Sequence, residues 1–202
     1  MAAGQNQTGS RNSDITSILE AEIFDLKHSH GDQEMAFYSG DGSMVLDHEL
    51  CVLNGDLNYR IDTMSRETVL KMLNSQNISK LLERDQLLVS RRRSPAFVLR
   101  AFHEAPIRFL PTYKYDVGTN QYDTSDKRRA PAWCDRIMYR ATEDCLQFDY
   151  GRHELSVSDH RPVTATFRFQ IMKVNEASIS LVRERSREAY RAAKSALARN
   201  MK

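Results

Sequence analysis

Hydrophobic residues along the 202-residue chain fall into short runs of two different periods. Ile15, Ile18, Leu19, Ile23 and Leu26 recur every three to four residues, which predicts a helix capped by Ser13 or Asp14. Residues 1–12 are Gly-, Gln-, Asn- and Ser-rich with little to bury, the composition of a loop or frayed end. Gly31, Gly40 and Gly42, with Ser39, Asp41 and Ser43, mark a mobile loop. Leu50-Cys51-Val52-Leu53 lacks polar alternation and closes on Asn54-Gly55-Asp56, so it predicts a strand buried on both faces. Two helical segments follow, the first on Val69, Leu70, Met72 and Leu73, the second on Ile78, Leu81, Leu82, Leu87 and Leu88, with residues 74–77 as the break. Residues 91–131 hold Arg91, Arg92, Arg93 and four of the five prolines, a pattern of loops and short strands. Ile137–Arg140 and Cys145–Tyr150 predict paired strands. The clearest alternation runs from Val163 to Ile171, a strand whose inward face is Val163, Ala165, Phe167, Phe169 and Ile171.

The last stretch, from Glu176 to Lys202, carries Ile179, Val182, Ala189, Ala193 and Leu197 on one helical stripe, with six Arg or Lys from Arg183 to Arg199 elsewhere. A basic amphipathic helix of this kind lies on an anionic membrane. A solvated helix or linker is the other reading, and the stripe of alanines broken by Ser186 favours it.

Composition narrows the function classes. Charged residues make up 28% of the chain, 29 basic against 27 acidic, for a net charge of +2. Such a balance excludes a duplex-wide nucleic-acid surface, so any basic site is local. Cys51, Cys134 and Cys145 form no C-x-x-C pair, which supports neither a disulfide framework nor a cysteine zinc site and fits a reducing compartment. No run approaches the ~18 apolar residues of a membrane span, and the polar N-terminus lacks the apolar stretch of a secretory signal. The expectation is a soluble, cytoplasmic chain, with peripheral membrane attachment as an option.

Three groups of residues carry chemistry. Asp56 and Asn58 stand two apart where a strand ends, so both side chains point to the same side of the chain. A carboxylate there accepts a proton from water while the amide donates to an oxyanion, although Asp and Asn beside Gly55 are also ordinary turn formers. Ser158-Asp159-His160 precedes the alternating strand and offers either a positioned acid or a cap with a surface histidine. Between them, Pro111-Thr112-Tyr113-Lys114-Tyr115 and the segment from Asp126 to Ile137 concentrate Lys114, Lys127, Arg128 and Arg129 around aromatic rings, which suits a compact anion bearing several phosphates. Asp135 is a candidate to hold an imidazole in one tautomer.

Gly55-Asp56-Leu57-Asn58-Tyr59-Arg60, the 111–115 run, Pro131-Ala132-Trp133-Cys134-Asp135-Arg136-Ile137 and Ser158-Asp159-His160-Arg161-Pro162-Val163 occur in the order and approximate separation found in inositol polyphosphate 5-phosphatases. From about Met35 to Ile171 the chain closely resembles that family. The heptapeptide from Pro131 to Ile137 separates these enzymes from other members of the endonuclease/exonuclease/phosphatase superfamily, which share the Gly-Asp-x-Asn and Ser-Asp-His elements. The resemblance implies an α+β fold, a DNase I-like four-layer sandwich, and Mg2+-assisted in-line hydrolysis of an inositol 5-phosphate. It implies that Asp56 activates the attacking water, that Asn58 helps hold the scissile phosphate, and that His160 stabilises the phosphoryl oxygens with Asp135 orienting its ring. It sets Asp159 close to the metal or the water, as the candidate metal ligand of this chain. Lys114, Lys127 and Arg129, with Tyr113 nearby, would grip the neighbouring phosphate of phosphoinositide lipids or soluble inositol polyphosphates. A nuclease of the same superfamily needs neither the heptapeptide nor this cationic cluster, so no nucleic-acid partner is expected. The competing reading from another class is a non-catalytic module that binds phosphoinositides or a partner protein through the cluster and the basic tail.

In the family, an Asn on an early strand, the Glu that binds Mg2+ and a His in a His-Leu-Ala-Ala stretch come before these motifs. Met1-Ala2-Ala3-Gly4 resembles the tail of that last stretch. The resemblance therefore predicts the C-terminal half of a catalytic domain, one sheet with flanking helices, and little activity for the chain alone. It divides the chain into a loop at 1–12, a partial catalytic domain at 13–172 and a basic helix or linker at 173–202. With one layer gone, the apolar face of the Val163–Ile171 strand would meet water and need a partner to cover it.

Overall fold

Helix α1, Thr8–Leu19, begins before either expected capping residue. The computed structural model describes residues 1–24, 40–141, 145–170 and 175–200. Asp14 is no cap; its carboxylate accepts the Ala2 amide at 2.9 Å and ties the first residues onto the helix. Arg11, fully buried, donates to the carbonyls of Ala2 (3.0 Å) and Gly4 (2.7 Å) and to the Gln86 side-chain oxygen (2.5 Å). Residues 1–12 are thus held in place rather than frayed. Ile15 and Leu19 are buried and Ile18 is half exposed. The helix stops before Ile23, which is solvent-facing, and Leu26 lies outside the described residues.

The described part of the glycine-rich loop is also tied down. Asp47, buried in a short 3-10 turn at Val45–Asp47, accepts the amides of Gly42 and Met44 at 3.1 Å each. Gly40 has a φ of +61°, and a Cβ there would overlap the Asp47 carboxylate.

Strand β1, Leu50–Asp56, pairs antiparallel with β2, Asp135–Ala141. It is not buried on both faces. Cys51 is buried, Val52 is 47% exposed, and β2 is the one ladder partner of the strand among the described residues. Between these strands lie α2, Arg66–Asn74, α3, Ile78–Leu82, and α4, Gln86–Arg93. Ser65 and Asp85 cap α2 and α4, accepting from the amides of Thr68 and Leu88. The Asp85 cap splits the second expected helical segment in two, so Leu87 and Leu88 belong to a separate helix. A second 3-10 turn, Val98–Ala101, follows α4.

Strand β3, Cys145–Arg152, pairs with β4, Val163–Phe169, not with β2 as the sequence suggested. The described strands therefore make two small ladders rather than one sheet. Tyr139 of β2 meets Phe167 of β4 edge-on at 5.4 Å, so the inward face of β4 is covered from within the chain: Val163, Ala165 and Phe167 are half-buried. Phe169 remains 45% exposed, and Ile171 lies outside the described residues.

One core gathers Ile15, Leu19, Tyr59, Leu87, Leu99, Phe102 and Met138; a second gathers Ile61, Val69, Leu73, Leu81, Ile107 and Trp133. Trp133 is fully buried and donates its indole N–H to the Phe109 carbonyl at 2.9 Å. An ionic network crosses the fold at Arg136. Its guanidinium meets both oxygens of Asp85 (3.0 and 3.1 Å) and both of Glu104 (2.7 and 2.8 Å), and Tyr150 donates to Glu104 at 2.9 Å. Burial by itself would lower the Arg136 pKa, but the charges of Asp85 and Glu104 outweigh it and keep the guanidinium charged. The network pins the start of α4 to β2 and β3.

Residues 1–169 form one compact unit and 170–202 another. In the second, α5, Glu176–Asn200, begins after Asn175, whose side-chain oxygen accepts the Ser178 amide at 3.1 Å. Leu181, Val182 and Tyr190 are exposed along it. No described helix is long and apolar enough to cross a membrane.

Candidate active site

The β1–β2 register sets Asp56 opposite Asp135 at the ends of their strands. One step on, the Leu57 amide donates to the Cys134 carbonyl at 2.8 Å. The chain then turns: Asn58 has a φ of 58°, its amide donates to Asp56 Oδ1 at 2.9 Å, and its side chain reaches Asp56 Oδ2 at 3.3 Å. Asp56 and Asn58 therefore form a turn of the kind their residue types favour. Arg60 closes the turn, bonding the Asn58 carbonyl at 3.0 Å and side-chain oxygen at 2.5 Å.

Residues 111–115 run strand-like between the other two motifs. Tyr113 exchanges backbone hydrogen bonds with Ala132 (3.2 and 2.8 Å), Tyr115 donates to the Asp159 carbonyl at 2.9 Å, and Arg161 donates to the Thr112 carbonyl at 2.8 Å. Arg161 is fully buried, its guanidinium 3.9 Å from the Tyr115 ring centre. Segments far apart in sequence are thereby bound into one surface.

On that surface His160 Nδ1 lies 2.9 Å from Asp135 Oδ2, and its Nε2 lies 4.0 Å from Asp56 Oδ2. Asp135 is an acceptor, so the proton belongs on Nδ1. Thr112, fully buried, donates its hydroxyl to the same Asp135 oxygen at 2.6 Å, which fixes the carboxylate. The Tyr113 ring packs on His160 at 4.6 Å, and the Arg60 guanidinium stands 4.5 Å from the Tyr113 ring centre. Burial lowers the His160 pKa, but the hydrogen bond and charge of Asp135, then the charges of Asp56 and Asp159, more than reverse this and raise it above 6.5.

Lys114 and Asp159 form an ion pair at 2.7 Å. That bond holds the Lys114 pKa up and the Asp159 pKa down. Asp159 thus has one oxygen engaged by an ammonium, and the other accepts the Ser158 hydroxyl at 3.4 Å. Asp123, fully buried, shapes the loop that follows by accepting the amides of Ser125 (3.1 Å) and Arg129 (2.8 Å).

A cleft of about 860 Å³ opens here, lined by Asp56, Asn58, Tyr113, Lys114, Lys127, Arg129, Asp159 and His160. Asp135 sits behind His160. Among the described residues, no ion pair joins the side chains of Lys127 or Arg129, so both cations face the cleft free. Arg60, Arg66 and residues 3–5 also line it, and Thr112 supports it from below. Ala3, Gly4, Arg60 and Thr112 stand inside motifs visible in the sequence, and that position is their one signal; Gln5 and Arg66 have none. Ligand atoms of Asp56, Asp135 and His160 lie within 4.8 Å of one another.

The sequence profile of Endonuclease/Exonuclease/phosphatase family 2 matches residues 1–166. The chain belongs to this family. Among its relatives, a probable inositol polyphosphate 5-phosphatase of Schizosaccharomyces pombe is 48% identical over 180 residues, covering 88% of this chain and 15% of that protein. Phosphatidylinositol 4,5-bisphosphate 5-phosphatase A of Rattus norvegicus is 34% identical over 186 residues, 84% of this chain and 17% of that protein. A crystal structure of the inositol polyphosphate 5-phosphatase domain of a synaptojanin, in complex with inositol (1,4)-bisphosphate and a calcium ion, superposes with a TM-score of 0.74 at 34% identity. That match covers 96% of this chain and 53% of the synaptojanin chain. The family member described here thus spans about half of the synaptojanin domain and less than a fifth of the curated relatives. The α+β, DNase I-like fold expected from sequence is the fold this likeness shows, over the part the chain covers.

Proposed function

We propose that the cleft is the C-terminal part of a phosphoinositide or inositol polyphosphate 5-phosphatase site. The observation that carries this reading is the 4.0 Å approach of His160 Nε2 to Asp56 while Asp135 holds the opposite ring nitrogen at 2.9 Å. Asp56 accepts a proton from water as the water oxygen bonds phosphorus and the bond from phosphorus to the inositol oxygen breaks; the leaving oxygen takes its proton from solvent. His160, charged below its raised pKa, donates from Nε2 to a phosphoryl oxygen, and Asn58 supports the same group from the turn. Lys127 and Arg129, with Lys114 anchored by Asp159, hold the phosphate on the adjacent ring carbon.

The donor set suits a hydrated Mg2+, a hard cation held by one or two carboxylates and substrate phosphates. Asp56 and Asp159, which line the same cleft, would hold it, where it would offset phosphoryl charge. We further propose that these 202 residues alone turn over slowly, that the protein works in the cytoplasm, and that it meets its lipid substrates by peripheral membrane contact.

The test is release of phosphate from a 4,5-bisphosphorylated inositol lipid in Mg2+, with the product identified. A 4-phosphate product and its loss in Asp56→Ala are the expected results. Removal of the 4-phosphate instead would refute the reaction proposed. Release at the rate of an intact family domain would refute slow turnover. Lipid binding that survives Asp56→Ala with no turnover at all would favour a non-catalytic module.

A further inference from the structure

A second concave surface lies beside the cleft and has no part in the chemistry above. A groove of about 640 Å³ runs over the start of α4 to its last turn, with Arg84, Arg92 and Arg93 on its walls and Val89 in its lining. A smaller groove of about 400 Å³ continues from it, sharing Arg92 and adding Arg91 and Arg100. Arg91 is committed to the carbonyls of Leu99 and Phe102. Arg84 uses one nitrogen on the Thr63 hydroxyl (2.5 Å) and Arg92 one on the Glu83 carbonyl (2.6 Å). Among the described residues, none of Arg84, Arg92, Arg93 and Arg100 forms an ion pair with a carboxylate. Two carboxylates, Asp62 and Glu83, do line the larger groove, and Asp62 accepts the Gln86 amide at 2.5 Å.

We propose that this arginine groove is a second phosphate-binding site. Like charges gathered in a concavity repel one another in the absence of a counter-anion, and the guanidinium fork matches phosphate oxygens in pairs. With Arg91 committed elsewhere, Arg84, Arg92, Arg93 and Arg100 against two carboxylates favour a doubly charged phosphate group over a singly charged carboxylate. One chain segment contributes to both the groove and the cleft. Arg60, Met64 and Arg66 face the cleft, whereas Asp62 and Thr63, on the same stretch of chain, face the groove. An anion seated there bears directly on the segment that carries Arg60.

The ligand chemistry is a phosphate monoester or pyrophosphate group, whether free in solution or on a lipid headgroup. The test uses the full chain at about 0.15 M salt, where exposed charges are already screened. Pyrophosphate is titrated while backbone amide shifts are followed by NMR. Shifts at Thr63, Arg84 and Arg93 are expected as a set separate from those at Lys127 and Arg129. Arg92→Glu with Arg93→Glu, both exposed and so tolerable to the fold, should weaken the groove set about tenfold or more while leaving the cleft set in place. A parallel arm sediments phosphatidylcholine vesicles with and without phosphatidic acid. If the reversal lowers binding to the phosphatidic acid vesicles, a lipid headgroup is a source; if only the pyrophosphate response changes, the source is soluble phosphate. No groove shifts in the wild-type chain, or an affinity within twofold after reversal, would overturn the proposal.

Discussion

His160 shows how far one side chain is set by its neighbours. Burial favours its neutral form and Asp135 its charged form, and the carboxylate prevails. Asp135→Asn removes the charge and leaves the burial, so the His160 pKa falls; a ring titration by NMR in EDTA checks this, and an unchanged or higher value would contradict it. The raised pKa also fixes a stability trend. A group with a folded pKa above its unfolded value stabilises fully below the unfolded value, near 6.5, and loses that contribution as pH rises through the folded one. Denaturant melts of the wild-type chain should therefore weaken with rising pH across that window, and His160→Asn should flatten the slope. At this scale the sequence was informative wherever chemistry and local spacing coincide, as in Asp56 with Asn58 and Asp159 with His160. It was silent on Thr112, whose hydroxyl acts on a residue 23 positions away. It also did not reveal that Lys114 is engaged by Asp159, because an ion pair between distant segments leaves no periodic trace.

Among the elements, α4 depends most on a single residue. Asp85 caps the helix and also receives Arg136, both side chains wholly buried. Asp85→Ala removes cap and counter-charge together and should destabilise the fold by about 3–5 kcal/mol in denaturant unfolding, whereas Asp85→Asn keeps the cap and restores about 1 kcal/mol of that. Equal losses in the two variants would mean that the cap contributes nothing. The helices were legible from apolar spacing, except where a cap interrupts it. The strand partners were not. Adjacent runs such as Ile137–Arg140 and Cys145–Tyr150 look like a hairpin, yet β2 joins β1 from some eighty residues earlier, because that pairing buries Cys51 and Met138 in the core. Alternation tells which face of a strand is apolar, not which strand lies beside it.

For the molecule as a whole, the site exists only when four remote segments meet. The cationic side of the cleft should then act as a unit on ligands with two phosphates. Lys127→Ala with Arg129→Ala is expected to weaken binding of a 4,5-bisphosphorylated inositol about tenfold or more while barely changing an inositol 5-monophosphate, as isothermal titration would read; equal losses for both would assign the two cations a general field rather than a clamp. The four motifs and their convergence were visible in the sequence through resemblance to a family; the covering of β4 by Tyr139 was not, since half-buried packing depends on where two ladders cross. Trp133 adds a practical consequence. It is the sole tryptophan of the chain, sealed from water two residues before Asp135. Its fluorescence, blue while the indole is enclosed and red-shifted once wetted, is thus a built-in optical gauge of whether the fold around the cleft is assembled, readable without any label or substrate.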